Sequence, residues 1–77
     1  MKAGQIIISN DDGYYLLHTK KYISALIREN DVLVVLTTNL YQSKFEFNHT
    51  ALLMRLKDCV MFEVSYEYFS SSCRIIC

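Results

Sequence analysis

Residues 59–69, Cys-Val-Met-Phe-Glu-Val-Ser-Tyr-Glu-Tyr-Phe, alternate with a period of two. Val60, Phe62, Val64, Tyr66 and Tyr68 fall on one side of an extended chain, and Glu63, Ser65 and Glu67 on the other. That pattern predicts a long strand with one apolar and one wet face. A β-branched run, 5–9, precedes Asn10-Asp11-Asp12-Gly13. Asp-Gly signals a tight turn, so 14–17 reads as the return strand of a hairpin. Thr19 is a suitable cap for a helix over 20–29, whose stripe is Tyr22, Ile23, Leu26 and Ile27, with Asn30 at a left-handed exit. Residues 32–38 form an apolar run without alternation, the mark of a central strand. Residues 43–47 alternate again, with Phe45 and Phe47 on one side. Asn48 or Thr50 can cap a second helix striped by Leu52, Leu53 and Leu56, and 73–77 closes the chain as a short strand.

The sum is an α+β fold: one mostly antiparallel sheet with two helices on one face, in the order ββαββαββ. If 14–29 is instead one helix, the order becomes βαββαβ, a ferredoxin-like arrangement. The two halves share this order at a spacing of about 28 residues, too few copies for a solenoid.

Seventy-seven residues without Pro and with two Gly suit one domain covering 1–77. With 52% hydrophobic residues, six Tyr and four Phe, the chain carries more bulky apolar groups than so small a domain readily buries. An exposed aromatic cluster is therefore expected, and on a small protein such a patch marks an interaction site. Eight basic residues balance eight acidic ones. This disfavours nucleic acid as the partner, because phosphate binding needs a basic surplus; Lys20, Lys21 and Arg28 are the one candidate patch. Cys59, Cys73 and Cys77 are odd in number and unpaired in spacing, and no leader pattern follows Met1. A reducing cytoplasm and free, buried thiols are expected. No apolar run reaches the roughly 20 residues that cross a bilayer.

Candidate chemistry is sparse. Ile7-Ile8-Ser9-Asn10-Asp11-Asp12-Gly13-Tyr14 resembles the amino-terminal strand and acidic loop of the survival-protein-E nucleotidases, metal-dependent phosphatases. The resemblance covers about eight residues and implies that Asp11 and Asp12 would hold a divalent cation for phosphate hydrolysis. A turn explains the same residues without a metal, and the chain is too short for that family's doubly wound domain. His49 and the three Cys lack the paired spacing of zinc ligands. His18 and His49 occupy ordinary capping or surface positions. Glu63 and Glu67, about 13 Å apart on a strand, are too distant for paired-carboxylate hydrolysis.

These readings converge on a non-enzymatic module without metal or cofactor. It is expected to bind a larger protein stoichiometrically as an inhibitor or adaptor, in the manner of phage and mobile-element accessory proteins, as a homodimer or tight hetero-complex. The expected contact residues are Tyr41, Tyr66, Tyr68 and Phe69, with Glu63 and Glu67 supplying polar specificity. A small metal-dependent phosphohydrolase and a weak nucleic-acid-binding module are the alternatives.

Overall fold

The structure, a computed structural model, describes residues 1–20, 22–39 and 49–77. Among these residues seven strands form one antiparallel sheet: β1 (Ile6–Ser9), β2 (Gly13–Leu17), β3 (Ser24–Ile27), β4 (Val32–Thr37), β5 (Thr50–Arg55), β6 (Met61–Ser65) and β7 (Cys73–Ile75). A short helix of little more than one turn, α1 (Tyr66–Ser70), lies between β6 and β7. The order across the sheet is β3-β2-β6-β5-β4-β1-β7.

This corrects the α+β expectation and both of its element orders. The segments expected as helices are strands β3 and β5. Residues 51–54, Ala-Leu-Leu-Met, are good helix formers, but propensity is a weak prior that tertiary pairing overrides. Paired on both sides, β5 buries Ala51, Leu53 and Arg55 at a period of two, while Leu56 turns outward. The long strand expected over 59–69 is cut at both ends. Cys59 has a left-handed φ of 59° in the β5–β6 turn, and Ser65 caps α1 by accepting from the Tyr68 N–H. The expected strand at 43–47 lies outside the described residues. Asn30 does adopt a left-handed φ, 71°, but between two strands rather than at a helix exit.

The expected β1–β2 hairpin does not form either. Both strands exist, yet β1 pairs with β4 and β7, and β2 with β3 and β6. Gly13 does not use a left-handed φ. Only three residues, Asn10 to Asp12, join strands four positions apart in the sheet. In a flat sheet those strands would stand about 19 Å apart, at about 4.8 Å per gap. The link reaches at most about 14 Å. Residues 28–31 join β3 to β4 across the same number of positions. The sheet therefore has to curl until the two links meet, and they do. The Glu29 N–H donates to Asp12 Oδ1 at 2.7 Å, the Asn30 N–H to the Ser9 carbonyl at 2.8 Å, and the Ser9 N–H to the Asp31 carbonyl at 3.0 Å.

Inside the curl the register aligns Ile7 with Leu33, Val35 with Leu53, Leu53 with Phe62, and Ala51 with Val64. With Ile27 and Phe69 these residues make the core. Arg55 plugs one end of it. Its Nη1 donates to the Leu26 carbonyl at 2.6 Å and to Asp31 at 3.2 Å, its Nε and Nη2 fork onto Asp58, and the guanidinium carbon lies 5.2 Å from the centre of the Phe62 ring. One side chain thus ties β5 to β3, to the 28–31 link and to the β5–β6 turn.

Breaking one partner of a buried pair costs about 3–5 kcal/mol. Arg55→Met should lose stability of that order in urea unfolding, with Arg55→Lys between it and the parent. The carboxylates add a pH signature. The Arg55 fork holds Asp58 below the usual carboxylate range despite partial burial. Burial pushes Asp31 up, but the Arg28 N–H, Arg55 and Lys57 together outweigh it and bring the net shift downward. A lowered folded-state pKa stabilises fully above the unfolded value, about 3.9, and that contribution is lost as pH falls through the folded value. The urea midpoint should drop on acidification below about pH 4, and drop less in Arg55→Met.

Candidate functional site

The three-residue tether at Gly13 also sets the course of β2. Its far end pairs with β6 at Leu16–Glu63 and Leu17–Phe62, and there the ladder stops. Its near end is pulled back towards β1. Tyr15 and Tyr14, which a continued register would set opposite Val64 and Ser65, diverge from them. The opening is a cleft of about 490 Å³ lined by Tyr14, Tyr15, Leu16, Glu63, Val64, Ser65 and Tyr68, within the size range of ligand sites.

Strand alternation places main-chain groups in this opening. The Arg55 N–H bonds the Val60 carbonyl and the Tyr66 N–H the His49 carbonyl, so the even-numbered residues of β6 turn their peptide groups to β5. Met61, Glu63 and Ser65 therefore face β2, as the bond from the His18 N–H to the Met61 carbonyl requires. By the same alternation the Leu17 N–H bonds the Ile23 carbonyl in β3, leaving Tyr14 and Leu16 to face β6. Among the described residues, Tyr14 and Ser65 have no ladder partner across the gap.

Helix α1 positions the other wall. Ser65 at the N-cap and Glu67 in the first turn favour its start. The hydroxyls of Ser70, Ser71 and Ser72 satisfy the Glu67 and Tyr68 carbonyls at its end. One turn sends Phe69 into the core and Tyr68 outward, 66% exposed. Tyr14 opposite is 74% exposed. Between them Tyr15 meets Phe69 edge-on, with ring centres 5.0 Å apart. Burial pushes the Tyr15 hydroxyl above the ordinary phenol range, with Tyr68, Asp11 and Cys73 adding to the effect and Ser72 opposing it.

The expected contact residues separate. Tyr68 lines the cleft. Phe69 lies under it, fully buried. Glu63 is also buried; its Oε1 lies 2.9 Å from His18 Nδ1. Tyr66 is half-buried, its hydroxyl donating to the Met1 carbonyl and accepting from the Met1 amine. His49 stacks on Tyr66 at 4.3 Å, donates from Nε2 to the Thr38 carbonyl and lies 3.2 Å from the exposed Glu67. Tyr41 lies outside the described residues. Tyr14, Tyr15, Leu16 and Val64 were missing from the expected set. Ser65 three residues before Tyr68, with Glu67 between, is the N-cap signal that would have broken the strand and separated Tyr68 from Phe69.

The other candidates have structural duties. Asp12 caps the 28–31 link, and the Asp11 carbonyl accepts from Ser9 Oγ. Among the described residues no three His, Cys, Asp or Glu side chains gather as metal ligands. Lys20 and Arg28 lie beyond opposite ends of β3, and Lys21 is outside the described residues. Cys59 and Cys77 are exposed rather than buried as expected, and Cys73 is half-buried. No helix among the described residues is long and apolar enough to cross a membrane. Comparison with protein-family models, with curated proteins and with solved structures found no match for this chain.

Gly13 makes room for the cleft's inner wall. A Cβ there would stand 2.9 Å from Tyr15 Cε2, on a ring that already packs edge-on against Phe69. Gly13→Ala should cost about 1–3 kcal/mol by overpacking. A double-mutant cycle with Tyr15→Leu should recover most of the loss. Additive losses would show that the ring is not the obstacle.

Proposed function

We propose that the chain is a non-enzymatic protein-binding module that takes a segment of a larger protein into the cleft between β2 and β6. It acts stoichiometrically, as an inhibitor or adaptor. The observation that carries this reading is the pair Tyr14 and Tyr68, large amphipathic rings left mostly exposed on either side of an apolar floor of Tyr15, Leu16 and Val64. Tyr is enriched where interfaces concentrate their binding energy, because its ring packs while its hydroxyl stays hydrated. The rings stand on a strand and a capped helical turn, so little ordering remains to be done on binding.

Self-association is the competing outcome. On the outer face, Ile6, Val34, Met54 and Met61 form a half-buried apolar row across β1, β4, β5 and β6. Light scattering separates the two. The proposal expects the mass of one chain at micromolar concentration.

Tyr14→Ala with Tyr68→Ala should leave unfolding stability within about 0.5 kcal/mol per site, as for exposed positions. Affinity capture from source-cell lysate should then yield a partner with the parent chain and lose it with the double variant. An unchanged captured set, or a dimer that the double variant dissolves, would remove this reading.

A further inference from the structure

Strands β2 and β3 are fastened to the rest of the sheet differently at their two ends. At one end Gly13 pairs with Ile27, so the two short links enter and leave side by side. There Asp12 accepts from the Glu29 N–H, the Ser9 carbonyl from the Asn30 N–H, and Asp31 Oδ2 from the Arg28 N–H. The Leu26 carbonyl accepts from Arg55 at 2.6 Å, and Ile27 is buried in the core. That end is pinned.

The other end is held more lightly. Among the described residues β2 meets β6 at Leu16–Glu63 and Leu17–Phe62, whereas β5 meets β6 over five pairs. The bond from the His18 N–H to the Met61 carbonyl, 3.0 Å, and the His18–Glu63 contact at 2.9 Å extend this latch. Strand β3 lies at the edge of the sheet, so among the described strands none holds the pair from its outer side. Tyr15, Leu17 and Ala25 are half-buried and pack against the core rather than within it.

We propose that β2 and β3 form a flap that turns as one body about the paired links and lifts off β6. Ile27 sits beside the hinge and moves little; Leu16, Leu17 and His18 move farthest. Lifting lengthens the Tyr14–Tyr68 cleft along β6 as far as Met61 and bares the Met61 and Glu63 peptide groups, which face β2. The cleft described above is then the closed form, its length set by the latch. Short links that absorb a rotation, and a unit with few fully buried apolar groups, are what such partial opening requires.

Native-state hydrogen exchange on the full chain, read amide by amide by NMR, tests this. Strand alternation gives adjacent amides opposite partners. The Leu16 and His18 N–H groups face β6, and those of Tyr15 and Leu17 face β3. After correction for intrinsic rates, Leu16, His18 and Glu63 should exchange about ten-fold or more faster than Tyr15 and Leu17. Their rates should also depend less steeply on low urea than that of Leu53 in β5, because partial opening exposes less surface. Equal rates on the two sides of β2 would mean that the hairpin melts as a whole. Faster exchange of Tyr15 and Leu17 would mean that β3 peels from β2, and a rate and urea slope shared with Leu53 would mean global unfolding alone. Each of these overturns the flap. The measurement is made on the free chain, so its outcome is separate from whether a protein segment binds in the cleft.

Discussion

The structure depends on a length constraint. Two links of three and four residues join strands that the sheet order separates by four positions, and neither link can cross a flat sheet. Curling is the consequence, and it creates the enclosed side on which Ile7, Leu33, Leu53 and Phe62 meet. Arg55 secures the curled form at the end where the links converge. A guanidinium suits that place because its planar fork serves the Asp58 carboxylate and the Leu26 carbonyl together while its face rests on Phe62. Among the described residues every buried side-chain N or O has a hydrogen-bond partner, so the polar groups taken inside are satisfied.

The cleft follows from the same constraint. A strand held to β6 at one end and drawn back to β1 at the other cannot keep its register with β6 throughout. Tyr14 and Tyr15 leave the ladder where that tension is resolved, and α1 brings Tyr68 up to the opposite wall. Site and fold thus share a cause, and they share residues as well: Val64 lines the cleft and belongs to the core, and Tyr15 packs against that core.

Strand content was legible where β-branched residues dominate. Ile6–Ser9 and Val32–Thr37 lie within a residue or so of their expected bounds. Residues 24–27 and 50–55 misled because Ala, Leu and Met fit a helical stripe as well as a strand, and isolated segments that short carry little helical stability of their own. What decided their state was pairing with strands distant in sequence, which a local pattern does not contain. The Asp-Gly turn misled differently. It marks a change of direction but not which strand comes next, and Gly13 serves as space for the Tyr15 ring. The aromatic surplus did indicate exposed rings. Assigning them to Tyr66 and Phe69 failed to allow for one helical turn, which reverses the faces that a straight strand would present.

Ile7 pairs with Ile75, and Leu16 with Glu63, so the sheet unites segments from opposite ends of the chain. Closing such loops is entropically unfavourable before any contact repays it, which places this domain among slow folders, on the order of milliseconds to seconds. The tyrosine-lined opening assembles only once β6 and α1 are in place. A nascent chain released before its last fifteen or so residues would hold its apolar strands without the surface they are arranged to support.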